Sequence, residues 1–311
     1  MNIYVSGSMA YDRIMDFPGR FADHIMPDKI HILNVCFTVN GMTEKLGGTA
    51  GNIAYTLALL GEKPTLVATI GKDYATYFER LNDNGIATDS LTIVQDEFTA
   101  GAYITTDKAD NQITGFNPGA MKRPARYDFS GADAANSIGI IAAGNLEDMA
   151  ELAATYRHKR IPFICDPGQS LTAWTGDSLR EWIDGCAILI TNDYEFELVM
   201  KMTGLKREDL FSLAETVIIT LGEKGSLIVT SDAEVPVPAA PVADVLDPTG
   251  AGDAYRAGLL KGMLMGRPLA VAGRMGAVAS AYAIEQYGTQ EHRFAWDDFS
   301  ARYRAAFGSS L

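Results

Sequence analysis

Cysteine is scarce in this chain: Cys36, Cys165 and Cys186 are the only three among 311 residues. An odd count spaced so widely does not make a disulfide scaffold and reads as reduced thiols. None stands in a C-x-x-C pair. No cysteine lies at zinc spacing from His24, His31, His158 or His292, which argues against structural zinc. Long apolar runs are missing too, and no stretch approaches the ~18 residues that a bilayer crossing takes. The start Met-Asn-Ile-Tyr-Val-Ser-Gly has neither the basic residues nor the apolar core of a secretory leader. Positive charge is in deficit, with 26 Lys and Arg against 39 Asp and Glu and a formal net charge of −13. A polyanion repels phosphate backbones and anionic membranes, which counts against nucleic acid and membrane as partners. A phosphate-bearing small molecule stays open, because a few backbone N–H groups hold one locally. The expectation is a cytoplasmic protein that works on small molecules.

What the chain has in quantity is short apolar runs. Ile3–Val5, Thr65–Ile70, Ile138–Ala142, Ile161–Cys165, Ala187–Ile190 and Val217–Leu221 are rich in Ile and Val and do not alternate with polar residues. Such strands, separated by helical patterns, predict an α/β fold with a mainly parallel sheet covered on both faces. Ile53, Leu57 and Leu60 mark one helix, stopped by Gly61; another is expected from about Pro268 to Gly288. Two β-prone segments have no helix attached, Lys29–Val39 and Phe98–Phe116, the second with a turn signal at Asp107–Asn111. The reading is one domain over 1–311. Both segments are expected to pair in a small extra sheet, a discontinuous β lid from about 12–44 and 97–119, whose exposed face needs a cover.

The residues after each predicted strand are small or hydrogen-bonding: Gly7-Ser8 and then Asp12, Gly144-Asn145, Asp166-Pro167-Gly168, Asn192-Asp193, and Gly222. Ligands of open parallel sheets bind outside the carboxyl ends of the strands, so five such ends suit a broad cleft, although turns alone use the same residues. The densest signal is Asp247-Pro248-Thr249-Gly250-Ala251-Gly252-Asp253, a glycine-rich loop running into a helix. Free N–H groups at Gly250, Ala251, Gly252 and Asp253, backed by the helix dipole, would make a phosphate site. Asp253 beside it suits a base that takes a proton from an attacking hydroxyl; a helix-start carboxylate favoured by the dipole would look the same. No P-loop, no G-x-G-x-x-G after the first strand and no G-x-S-x-G elbow occurs. Gly47-Gly48-Thr49-Ala50-Gly51-Asn52 opens a second helix, as a ligand-binding turn or a plain cap. Asn192-x-x-Glu195 puts two oxygen-bearing side chains at another helix start, suited to water-mediated Mg²⁺, though Glu in a first turn is commonplace.

Together these segments resemble the ribokinase, or phosphofructokinase B, family of sugar and nucleoside kinases. The D-x-T-G-A-G-D signature falls at Asp247–Asp253, G-G-x-x-x-N at Gly47–Asn52, N-x-x-E at Asn192–Glu195, T-L-G-x-x-G at Thr220–Gly225 and I-G-x-D at Ile70–Asp73, in the family's order. The resemblance implies Asp253 as the base, with Gly250, Ala251 and Gly252 as the anion hole. It implies Asn192 and Glu195 for Mg²⁺ and phosphates, and Thr220, Gly222 and Gly225 for ATP. Asp247 and Thr249 match a loop that holds K⁺ in some members, and Asp12, Gly48 and Asn52 would bind acceptor hydroxyls. Ala10 and Thr49 depart from ribokinases proper, which carry Asn and Lys there. The segments around Asp12, Phe17–Phe21, Gly48–Tyr55 and Asp166–Gln169 are most similar to bacterial adenosine and nucleoside kinases. That subgroup adds Ser8, Gln169 and the lid residue Phe116 as acceptor-site candidates. Pro248 and Tyr255 depart from the common Thr and Phe. The implied activity is ATP-dependent phosphorylation of a nucleoside 5′-hydroxyl, adenosine foremost. The alternatives are a sugar or sugar-phosphate kinase and a nucleoside-binding protein without turnover. Partners are nucleoside and ATP, in a monomer or homodimer.

Overall fold

The computed structural model describes residues 1–32, 34–109 and 111–311. Leu33 and Asp110, which fall inside the segments Lys29–Val39 and Asp107–Asn111, lie outside the described residues. In chain order the strands are β1 (Asn2–Ser6), β2 (Ala10–Asp16), β3 (Met42–Gly47), β4 (Pro64–Val67), β5 (Thr69–Gly71), β6 (Thr92–Val94) and β7 (Ala100–Thr106). They continue with β8 (Gln112–Asn117), β9 (Ser137–Ile141), β10 (Phe163–Cys165), β11 (Cys186–Asn192), β12 (Ala214–Thr220), β13 (Ser226–Val229) and β14 (Glu234–Val237). The helices are α1 (Thr49–Leu59), α2 (Ala75–Asp83), α3 (Leu146–Lys159), α4 (Gly176–Ile183), α5 (Asp193–Thr203), α6 (Ala251–Leu264), α7 (Leu269–Ile284) and α8 (Trp296–Phe307).

The main sheet has eight strands in the order β14-β13-β12-β11-β10-β9-β1-β4. From β4 to β12 all neighbours are parallel, and β13 and β14 close one edge as antiparallel strands. Alternate side chains bury on both faces, as continuous apolar strands require. Ile3 and Val5 of β1 pack with Ile53 of α1, Leu81 of α2, Leu259 of α6 and Ala272 of α7. Tyr4 turns the other way, toward Met149 of α3, Leu179 of α4 and Val199 of α5. The polypeptide leaves β1 for β4 on one side and reaches β9 on the other. This reversal places a crevice above the carboxyl ends of β1 and β9.

A smaller sheet, β3-β2-β7-β8, stands beside that crevice. The Phe98–Phe116 segment supplies β7 and β8, and the Asp107 carboxylate closes their turn by accepting the Asn111 N–H at 2.9 Å. The described residues of Lys29–Val39 do not pair. The chain makes short helical turns over Pro27–Ile32, kinked at Lys29, and then runs irregularly. Its Phe37 ring packs 4.6 Å from Phe17 and 5.1 Å from Phe21, so local aromatic packing takes up the apolar side chain that suggested a strand. The edge place goes instead to β3, whose polar sequence gives no such signal. Thr65–Ile70 is not one strand either. After β4 the chain leaves the main sheet at Ala68, and β5 pairs with β6, where the Thr69 hydroxyl donates to the Ala120 carbonyl at 3.0 Å. α7 ends at Ile284, short of Gly288. That glycine, at φ +96°, belongs to a turn whose N–H donates to Asp247 at 3.0 Å.

Candidate active site

Two depressions meet above the carboxyl ends of the parallel strands. The larger, about 860 Å³, lies between the main and smaller sheets. The second, about 560 Å³, is walled by Ala240, Val242, Ala277 and Ile284. They share Thr220, Gly222, Pro248, Ala251 and Gly252, so the start of α6 is their common floor. All five strand ends singled out in the sequence reach the larger cleft, through Ser8, Gly144, Gly168, Asn192 and Gly222.

Gly250 precedes α6 at φ +79°, and no side chain caps the helix. The first-turn N–H groups therefore open onto the place where the two depressions join, an arrangement that holds an anion. A Cβ on Gly250 would come within 3.0 Å of Thr289, so the close turn depends on glycine here. Asp253 follows in the first turn. Its Oδ2 accepts a hydrogen bond from Asn52 Nδ2 at 2.8 Å. Loss of water around it pushes its carboxyl up to about 7, against the opposing pull of Asn52 and Arg256. A carboxylate that exchanges a proton near neutrality, beside an anion site, can serve as a general base.

Beneath it lies an ion pair that the sequence did not disclose. Arg256, one turn along α6, donates from Nε to Asp166 Oδ2 at 2.5 Å and from a terminal nitrogen to Oδ1 at 2.7 Å. Its other terminal nitrogen donates to the Gly252 carbonyl at 2.9 Å. Asp166 is 2% exposed and Arg256 6%. The fork-to-fork geometry satisfies both buried charges and ties the first turn of α6 to the end of β10. An arginine flanked by apolar residues in the middle of α6 is the available signal, but nothing in a linear sequence names a partner 90 residues away.

Asn192 and Glu195 form a reciprocal capping box at α5: Asn192 Oδ1 accepts the Glu195 N–H at 2.7 Å, and Glu195 Oε2 accepts the Asn192 N–H at 2.9 Å. Burial raises the Glu195 carboxyl, opposed by its bond from the Asn192 backbone. Both side chains still line the cleft, as do Thr220, Gly222 and Thr249. Gly225 lines the second depression, and a Cβ there would sit 2.1 Å from the Val237 carbonyl. Asp247 lines neither. Its carboxylate accepts the N–H groups of Thr249 at 2.9 Å and Gly288 at 3.0 Å and so fastens the loop.

On the opposite wall, register sets Asp12 of β2 beside Ala102 of β7 and Ala102 beside Phe116 of β8, so Asp12 and Phe116 face the cleft together. The Asp12 carboxyl is raised by burial, then by the nearby Asp247 charge. Gly48 and Gln169 border the same space. Ser8 reaches it too, but first as a clasp: its Oγ accepts the Thr49 N–H at 3.0 Å while its own N–H donates to Thr49 Oγ1 at 3.1 Å.

Residues 11–294 match the pattern of the pfkB family carbohydrate kinases. A nucleoside kinase of Methanocaldococcus jannaschii is 32% identical over 85% of this chain and 87% of its own. The structure of Burkholderia thailandensis nucleoside kinase in complex with inosine superposes with a TM-score of 0.84 at 36% identity, covering 99% of each chain. The ADP-inosine complex of the same protein gives 0.82 at 37%, covering 99% of this chain and 97% of that one.

Proposed function

Since the chain belongs to the pfkB family of carbohydrate kinases, we propose that it transfers the γ-phosphoryl of ATP to the 5′-hydroxyl of a nucleoside, adenosine foremost. It is an ATP-dependent kinase with an alcohol as acceptor. The observation that carries the nucleoside reading is the acceptor wall, where Asp12 and Phe116 offer a carboxylate for ribose hydroxyls and a ring for a base. No Lys or Arg from that wall reaches the cleft. Arg13 is paired with Glu44 at 2.8 Å, and Lys45 with Glu291 at 3.3 Å. A sugar phosphate would want such a cation free.

In this reading the nucleoside lies between Asp12, Gly48, Asn52, Gln169 and Phe116, with Ser8 behind it, and its 5′-hydroxyl meets Asp253. ATP occupies the second depression along Thr220, Gly222 and Gly225, its γ-phosphoryl at Gly250, Ala251 and Gly252. Asp253 receives the hydroxyl proton as the oxygen attacks phosphorus in line, and the α6 start neutralises the charge gathering on the phosphoryl oxygens. Mg²⁺ fits this site as an ion held mostly by phosphate and water: Glu195 spends one oxygen on the capping box, and the described residues offer no cluster of three acidic, His or Cys ligands. Bound there, it would neutralise phosphate charge. Asp247 and Thr249 are the candidates for shaping a K⁺ loop, with Asp247 holding the turn by two backbone bonds. The smaller sheet acts as a lid that excludes water.

A second reading takes inosine or another 6-oxopurine nucleoside as the better acceptor, favoured by the inosine complexes of the Burkholderia protein. ADP release from MgATP, measured with adenosine, inosine, guanosine, cytidine, ribose and fructose 6-phosphate, with and without K⁺, ranks them. Turnover with nucleosides and none with the sugars supports the proposal. Turnover with ribose or fructose 6-phosphate alone overturns it.

A further inference from the structure

A chain of four hydrogen bonds runs through the interior from the end of β3 to Asp253, and its direction is set at the far end. The Tyr77 hydroxyl of α2 has one hydrogen, which it donates to the Gly47 carbonyl at 2.7 Å. Its oxygen is therefore the acceptor toward Gln290, whose Nε2 lies 2.7 Å away. The other Nε2 hydrogen goes to Asn52 Oδ1 at 3.0 Å. That leaves Asn52 Nδ2 to donate to Asp253 Oδ2 at 2.8 Å. Turning either amide over sets like groups against each other. Tyr77, Gln290 and Asn52 are at most 5% exposed, so water does not relax the constraint.

Two costs mark this arrangement as more than packing. Gln290 Oε1 is buried and has no hydrogen-bond partner among the described residues, a state that native structures rarely tolerate. Residue 51, in the first turn of α1, is glycine, and a Cβ there would stand 1.8 Å from the Tyr77 oxygen. Both are accounted for if the direction of the chain matters to the carboxylate at its end.

We propose that Gln290 is a positioning residue for phosphoryl transfer: it locks the Asn52 amide so that Asp253 Oδ2 stays occupied and Oδ1 is left for the acceptor hydroxyl. The inference rests on Asp253 being the base. The charged groups around Asp253 are Arg256 on its own helix and Asp166 after β10, with Glu195 of α5 beyond Arg256. Gln290 is neutral, so replacing it with Met leaves those charges in place.

The test compares kcat, acceptor KM and the pH profile of kcat/KM for wild type, Gln290→Met, Tyr77→Phe, Asn52→Ala and the Gln290→Met/Asn52→Ala double variant. Gln290→Met should lower kcat about 10-fold with acceptor KM changed less than about twofold, and shift the acid limb to higher pH. Tyr77→Phe keeps the ring and should act in the same direction by about two- to threefold. In the Asn52→Ala background, Gln290→Met should add nothing. Wild-type kinetics and pH profile in either Gln290→Met or Tyr77→Phe would overturn the proposal, as would an undiminished effect in the Asn52→Ala background. Asp253→Asn separates the two layers. Wild-type turnover there removes the base reading, whereas its loss alongside an indifferent Gln290→Met removes only the relay.

Discussion

On the main-sheet side of the cleft, Asp253, Asn52, Gln290, Arg256 and Asp166 are joined to one another or to backbone by hydrogen bonds of 2.5–3.0 Å. On the smaller-sheet side, the Asp12 carboxylate takes no hydrogen bond among the described residues, and Phe116 is 55% exposed. The first group is held together by the protein's own hydrogen bonds, at the cost of buried charge. The second has its groups unspent. The difference teaches which part of phosphoryl transfer each region can supply. A preorganised floor can orient a proton acceptor and a phosphate without reorganising, while an open wall, on the proposed reading, would gain its order from the acceptor.

The comparison breaks first at Asp253. Asp253→Asn should lower kcat by about 10²- to 10⁴-fold and leave nucleoside Kd nearly unchanged by calorimetry. It should also raise Tm at alkaline pH. The carboxyl is pushed up to about 7 in the folded chain, so between its unfolded value and 7 the native state holds a proton that the unfolded state has lost. Stability therefore falls as pH rises through that window, and asparagine escapes the penalty. An equal Tm for the two proteins at pH 5 and pH 9 would mean that the floor carries no such strain.

Next comes the ion pair. Arg256→Met leaves Asp166 buried and unpaired, and should cost about 3–5 kcal/mol in urea denaturation; a loss below about 1 kcal/mol would place the pair in effective contact with water. On the open wall the effects should be smaller and fall on binding. Asp12→Ala should raise acceptor KM about 10- to 100-fold, the worth of hydrogen bonds to a charged group, with ATP KM steady. A matching loss for ATP would show the two subsites reversed. Phe116→Ala should raise nucleoside KM only about two- to tenfold, and a larger effect than that of Asp12→Ala would make the base, not the sugar, the main handle.

The uneven legibility of the sequence follows the same division. The glycine-rich approach to α6, the strand ends and the Asn192–Glu195 cap are local patterns, and local physics writes them into adjacent residues. The Arg256–Asp166 pair and the Tyr77–Gln290–Asn52 chain join residues 90 and more than 200 positions apart, and only tertiary packing brings them together. Lys29–Val39 carries a strand signal without forming a strand because β propensity reports fit to a half-buried surface; Phe37 finds that surface in Phe17 and Phe21 rather than in a neighbouring strand. β3 is a strand without the signal, for the converse reason. Its Glu44 and Lys45 are polar, yet they find partners in Arg13 and Glu291.

The pH dependence of kcat/KM for the nucleoside tests most directly whether the cleft floor is set for proton transfer. With Asp253 raised to about 7, activity should fall tenfold per pH unit on the acid side of neutrality, because the protonated carboxyl cannot accept the hydroxyl proton. A profile that stays flat down to pH 5 would contradict a base of that strength at Asp253.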